Sequence, residues 1–350
     1  MRVASRASIR LIMVGLAVAL LGTMLGSAMS GQLPVTPGQV IGVIGHSLGI
    51  GDGSGTDPII EATLWNIRFP RIAAAALIGM ALAVAGLMMQ AIFANPLAEP
   101  AVVGVSSGAA LGAATFLVFV AGSTSLAADV GTALSAFVAG LGATAVVYLI
   151  SRRGGRTEVV TLVLTGIAIN AFVGGALAFM LFAADSATRE QLVFWQLGSL
   201  NGANWTETAL ILPPVLVGLA AGFTLASSYD LLALGERSAA HLGVRIERVR
   251  LISIVLVALL ASAAVAFAGI IAFVGLVVPH LMRLLIGPAH RPLLLASALG
   301  GALLLSLADW AARTMIPMAD LPIGMLTSLL GGPFFLWLLL RTRSRMGGFA

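Results

Sequence analysis

Residues 69–121 read FPRIAAAALIGMALAVAGLMMQAIFANPLAEPAVVGVSSGAALGAATFLVFVA, two apolar runs separated by one short interruption. No charged side chain occurs between Arg71 and Glu99, and the first run is long enough, at 1.5 Å per residue, to cross ~30 Å of hydrocarbon as a helix. Pro96 and Pro100 stop one helix and delay the next. Non-helical backbone is therefore expected at membrane depth, where it survives only against protein or a water-filled path. The fold class that follows is an all-α integral membrane protein.

The rest of the chain repeats this pattern. Of 350 residues, 59% are hydrophobic and 9% charged, against roughly a quarter charged in an average soluble domain. A water-soluble globule is excluded. Further spans are expected at 11–29, 69–93, 103–121, 128–150, 159–183, 206–227, 249–268, 270–286, 292–312 and 323–340, ten in all. The run after Arg10 is read as a retained first helix and not as a cleaved signal peptide, because many spans follow it. Residues 191–205 are read as a helix lying at the surface. The whole of 1–350 is expected to form a single transmembrane domain. Five spans on either side of the surface segment would make two inverted halves.

The net charge of +5 comes entirely from arginine, since the chain contains no lysine. Arg2, Arg6, Arg10, Arg152, Arg153, Arg156, Arg237, Arg245, Arg248, Arg250, Arg283, Arg291, Arg341, Arg343 and Arg345 fall in one set of connections and only Arg68, Arg71, Arg189 and Arg313 in the other. The positive-inside tendency makes the first set, and both termini, cytoplasmic. Short arginine clusters between apolar runs do not make a nucleic-acid surface. With no cysteine, neither disulfides nor thiolate metal sites are available.

Ion-coupled carriers place acids or histidines deep in the membrane. Here the acids are read at span ends or in loops: Asp52, Asp57 and Glu61 outside, Glu99, Glu236 and Glu247 inside, and Asp309 four residues before Arg313 on one helix face. No proton relay is visible. A P-loop needs a lysine on the phosphates, so the chain cannot hydrolyse nucleotide by that route. Uphill transport would have to be driven by a separate subunit, and the segment 230–248, too polar to cross and too patterned for a plain linker, is where one would attach.

The stretches LWNIRFPR (64–71), GLMMQAIFANPLAEPAVVGVSSGAALGA (86–113), FWQLGSLNG (194–202), LLALGERSAAHLGV (231–244), GIIAFVGLVVPHLMRLLIG (269–287) and ADLPIGMLTSLLGGPFFLWLLLR (319–341) resemble the FecCD-type permeases of iron-siderophore, haem and cobalamin type II ABC importers. The resemblance implies a ten-helix protomer in a homodimer of the bacterial inner membrane, with two ATPase subunits below, a substrate-binding protein above, and no cofactor in this chain, ATP and magnesium belonging to the ATPase. It implies ATPase coupling at Gly235, Glu236, Arg237, Ala239 and Gly243, with the small residues allowing close docking. It also implies docking of the binding protein on Arg68, Arg71 and Arg313, a cytoplasmic gate at Asn95, Pro96 and Leu97, and a periplasmic gate and cargo path at Arg189, Trp195 and Gly198. Arg189 would meet a cargo carboxylate or serve as an ordinary loop arginine. His280 is read as a helix-end histidine and not a haem ligand, and Met88 and Met89 as packing. Among cargoes haem ranks first, ferric siderophore second and cobalamin third. An ion-coupled carrier and an intramembrane enzyme are the rival classes, and neither finds its residues here.

Overall fold

The structure, a computed structural model, describes residues 5–50, 57–120, 126–316 and 319–346. Arg2, Asp52 and Ala121 lie outside the described residues, as do the side chains of Arg341, Arg343 and Arg345. The helices run Arg6–Met29 (α1), Pro37–Ser47 (α2), Pro58–Thr63 (α3), Phe69–Ile92 (α4), Val105–Phe119 (α5), Leu126–Ile150 (α6), Val159–Ala183 (α7), Ser186–Leu197 (α8), Trp205–Leu232 (α9), Glu236–His241 (α10), Ile246–Ala268 (α11), Val274–Ile286 (α12), His290–Thr314 (α13) and Ile323–Met346 (α14). A π-helical turn at Leu64–Arg68 joins α3 to α4, and a 3-10 turn at Pro100–Val103 precedes α5. Among the described residues seven helical stretches are long and apolar enough to cross a membrane, and α5, α12 and the first part of α14 are shorter apolar helices. The seven long stretches coincide with seven of those expected to cross, and the three shorter helices overlap the other three without the length of a full span.

Four local features depart from that expectation. A small hairpin, Arg152–Arg153 (β1) paired antiparallel with Arg156–Thr157 (β2), interrupts the all-helical pattern. Its turn is Gly154–Gly155, both at positive φ, as a two-residue hairpin loop demands. The surface helix lies at Ser186–Leu197 and not at 191–205: Asp185 caps its start, and Gly198 at φ +71° ends it. The run from Ile270 does not begin a helix, because Gly269 and Phe273 both sit at φ +68° and leave the chain unwound until Val274. The unexpected α2 starts on a capping box, with Thr36 and Gln39 bonding each other's backbone N–H and Pro37 at the first helical position.

Packing centres on α4, which is almost wholly buried, whereas α7 is mostly exposed. One core cluster gathers α4 with side chains of α9, α11, α12 and α13, while a second, around Val40, Val43, Ile60 and Leu64, seats α2 and α3 on the end of α1. In lipid there is little hydrophobic drive between helices, so close backbone approach does the work. Gly79 of α4 meets Gly301 of α13, and Gly86 of α4 meets Gly275 of α12. At either crossing a methyl group would overlap the opposing carbonyl.

Pro279 deprives the Gly275 carbonyl of its helical N–H. The buried side chain of Gln90 covers the gap: its Nε2 lies 3.1 Å from Leu276 O and 3.5 Å from Gly275 O, and its Oε1 accepts from Arg283 at 3.0 Å. A buried amide is thereby satisfied at both ends.

Gly79→Ala is expected to abolish monodisperse protein in size-exclusion chromatography of detergent extracts, because the methyl group strikes backbone. Gly142→Ala, with open space around it, is expected to elute as the parent does.

Candidate functional sites

At one end of the bundle Asp309 is buried between two guanidinium groups. Arg71 Nε lies 2.8 Å from its Oδ1 and Arg313 Nε 3.3 Å from its Oδ2. Arg71 also bonds Asp320 at 2.7 Å. Arg313 donates to the Ser27 side chain, and Arg68 to the carbonyls of Ala28, at 2.6 Å, and Leu33. The expected Asp309–Arg313 pair is present, but the shorter contact comes from Arg71 on another helix. Arg68 and Arg71, two of the three arginines expected to dock the binding protein, are buried, Arg313 is half-buried, and each has acceptors inside the chain. An unpaired buried cation costs far more than one in water, which is why each has found an acceptor.

At the same end three segments cross at backbone distance. Ser199 N donates to Ala268 O and Ile323 N to Gly198 O, both at 2.8 Å. A Cβ at Gly198 would stand 2.6 Å from Ile270 O, and one at Gly324 or Gly269 would overlap the Ile270 or Trp195 carbonyl. Beside this crossing opens a cleft of about 520 Å³, walled by Leu117, Phe194, Trp195 and Phe267 with Gln191, Asn201 and Asp320 among its polar groups. Trp195 lines this cleft, and Gly198 is buried in the crossing beside it.

Arg189 does not line the cleft. It lies in the first turn of α8, where its Nε and one terminal nitrogen donate to Leu181 O and Ala184 O at 2.8 and 2.9 Å and close the carbonyl end of α7. Beside it, hydrogen bonds from Thr188, the backbone N–H above all, hold the Asp185 carboxyl below the usual carboxylate range.

The NPLAEP stretch is non-helical as expected. Asn95 Oδ1 accepts from Leu97 N at 2.9 Å, Ala94 adopts φ +47°, and Asn95 and Pro96 are exposed with Leu97 half-buried. Glu99 lies in the connection after α4, as expected, but its carboxylate turns inward. The segment folds back so that Pro100 packs on Gly275, opposite Gly86 in α4, and Glu99 Oε1 accepts from Phe273 N at 2.9 Å.

At the arginine-rich end α10 stands between Gly235 at φ +100° and Gly243 at φ +87°, both exposed. There glycine supplies the left-handed backbone that starts and ends the short helix. Ala239 is buried against the chain's own core, so it cannot be the small surface residue the sequence suggested. Glu236 bonds Arg250, Arg250 lies 3.3 Å from Glu247, and Glu247 Oε2 accepts from Thr157 N and Oγ1 at 3.0 and 2.8 Å. One network thus ties α10, α11 and the hairpin together. A groove of about 860 Å³ runs between them, lined by Arg153, Arg156, Arg237, Arg245 and Arg248 with acidic neighbours.

Sequence reasoning missed Leu234 and Leu242, apolar side chains 65% and 61% exposed on either flank of α10. Their signal was an apolar residue next to each bracketing glycine. Sequence reasoning also missed Asp230, which accepts from His290 N at 2.9 Å and Nδ1 at 2.7 Å and anchors the start of α13 to the last turn of α9. Both ring nitrogens of His280 are buried without a hydrogen-bond partner. Among the described residues no group of three or more His, Asp or Glu is placed to hold a metal ion.

A family model described as the FecCD transport family matches residues 6–341. The chain is 43% identical over 290 residues to the hemin transport system permease protein HmuU of Yersinia pestis, covering 81% of this chain and 85% of that one. It is 38% identical over 285 residues to the cobalamin import system permease protein BtuC of Halobacterium salinarum, with 81% and 75% covered. Its fold matches a solved structure described as an inward-facing conformation of a metal-chelate type ABC transporter, with TM-score 0.82, 30% identity, and 94% of this chain and 99% of that one covered.

Asp309→Leu is expected to cost about 3–5 kcal/mol, because it strands two buried guanidinium groups. The triple variant Arg71→Met, Asp309→Leu, Arg313→Met should recover most of that loss. Thermal unfolding midpoints of the purified variants in one detergent check both statements.

Proposed function

The chain belongs to the FecCD transport family and is a permease subunit of an ABC importer, not an enzyme, and on that premise we propose that it carries haem from a binding protein into the cytoplasm, with ferric siderophore and cobalamin as the runner-up cargoes. The observation that carries the cargo choice is the 43% identity to a hemin permease over most of both chains. The cleft supports it, since its walls of Phe194, Trp195 and Phe267 suit a flat apolar macrocycle.

In this reading the protein is a single permease domain of ten crossings in two inverted halves, both termini cytoplasmic, in the bacterial inner membrane. It works as a homodimer. Support comes from α7, which is mostly exposed and carries Gly174 and Gly175 with open space beside them, small residues of the kind that let helices approach. The segment 230–248 is the coupling region. Leu234, Leu242, Glu236 and Arg237 are its outward contacts to the ATPase, and Gly235, Ala239 and Gly243 give it shape. Exposed leucines beside a polar helix outside the apolar core are what a partner's cleft would bury. Asn95, Pro96 and Leu97 form the cytoplasmic gate, and Trp195 and Gly198 the periplasmic one, with Arg189 bracing the turn between α7 and α8. Arg68, Arg71 and Arg313 form the buried frame beneath the surface that receives the binding protein.

Reconstitution with the ATPase and binding protein tests the reading. Haem-loaded binding protein is expected to stimulate ATP hydrolysis and haem accumulation in liposomes. Stimulation by a ferric siderophore or cobalamin, with none by haem, overturns the cargo assignment. Leu234→Asp with Leu242→Asp should abolish co-purification of the ATPase while leaving the unfolding midpoint of the isolated permease unchanged. Retained co-purification would remove these leucines from the interface.

A further inference from the structure

The unwound segment Gly269–Phe273 is touched from both ends of the bundle. On one side lie Trp195, Gly198 and Gly324, packed so closely on it that none of the glycines there can accept a Cβ without overlap or strain. On the other lies Glu99, whose carboxylate accepts from Phe273 N at 2.9 Å. Phe273 is held at φ +68°, a conformation that a bulky residue adopts only under constraint from its surroundings. Val277 N and Leu276 N donate to its carbonyl at 2.8 and 3.2 Å, so its backbone sets the first turn of α12. The Glu99 carboxylate therefore sits at the positive end of α12 and fixes where that helix begins. A small cavity of about 80 Å³, lined by Leu82, Glu99, Ser106, Ala261 and Gly275, lies against this joint and leaves room for it to shift.

We infer that Glu99 is a positioning residue that joins the cytoplasmic gate loop, through Phe273 and the Gly269–Phe273 segment, to the periplasmic gate around Gly198. The inference rests on the gate reading of Asn95–Leu97 and Trp195–Gly198 given above. Glu99 follows Leu97 by two residues, so any displacement of the loop pulls on the Phe273 N–H. Because Trp195, Gly198 and Gly324 hold the other side of the segment in backbone contact, that pull reaches the periplasmic crossing with little slack. The two gates then move as one mechanical unit within a protomer.

The chain has no cysteine, so single introduced cysteines report exposure without background. In the full complex with its ATPase in nanodiscs, maleimide labelling of Leu97→Cys and of Asn201→Cys, on the cleft rim, is followed with and without ATP. In the parent background both rates should respond to ATP. In Glu99→Ala the response at position 201 should fall about tenfold, the size of a typical coupling between sites, while position 97 still responds. Glu99→Gln keeps an oxygen that can accept from Phe273 N–H and should retain the response at 201. If Glu99→Ala does not assemble, Glu99→Asp carries the test, since it keeps the charge and withdraws the oxygen by one methylene. An undiminished response at 201, with 97 responding, overturns the inference. No ATP response at 97 in the parent background overturns the gate reading instead.

Discussion

Close contact between backbones, made possible by paired glycines along α4, is the constraint on which this molecule depends. A bilayer gives helices no general reason to associate, because lipid tails are as apolar as leucine side chains. What remains is contact area and the hydrogen bonds that contact permits. At Gly79–Gly301 and Gly86–Gly275 the distance is so short that no other residue fits. α4 is consequently locked to both α12 and α13 and becomes the fixed element against which other parts are placed. The same proximity lets Gln90 reach the carbonyl of Gly275, which Pro279 leaves without a helical donor, and that of Leu276 beside it.

Charge follows the same logic at a different price in solvation. Arg68, Arg71 and Arg313 approach the apolar core only because acceptors meet them, and Asp309 serves two of them at once. Such a cluster fixes the register of α1, α4 and α13 and the start of the chain leading to α14 through Asp320. Rigidity at this end is thus electrostatic, whereas rigidity at the middle of α4 is steric.

The apolar runs made the helices legible, because a 20-residue stretch without charge has few other readings. Asn95–Pro96 and Pro100 likewise announced a break, whereas the role of Gly235 and Gly243 in bounding α10 emerged only from their left-handed backbone. Local spacing could not show what lies across the fold. Arg71 and Asp309 are far apart in sequence, so the i,i+4 pair with Arg313 stood in for a three-body cluster. Glu99 looked like a loop acid because proline breaks on either side suggest an exit from the membrane. In fact the loop turns back, and its carboxylate meets a backbone N–H from the second half of the chain. The Ala239 side chain points into the core for the same reason: a six-residue helix has an inward face that composition alone does not reveal.

On the coupling role proposed for α10, where force enters the permease follows from how that helix is held. A coupling element on a slack linker would absorb the movement of an attached ATPase. Here Glu236 is bonded to Arg250 at the start of α11, Glu247 carries the bond on to the hairpin at Thr157, and Asp230 pins the first turn of α13. Displacing α10 therefore displaces the ends of α9, α11 and α13 together. α11 runs to Ala268, where Gly269–Phe273 begins and where Ser199 is bonded at 2.8 Å. On the same proposal a push at the arginine-rich end is delivered, through one continuous helix, to the unwound segment, which Glu99 and Gly198 both touch. The chain holds no nucleotide chemistry of its own that its lysine-free composition would support by the P-loop route. Its contribution is the rigidity of that path, and α11 is stiff because it is almost as deeply buried as α4.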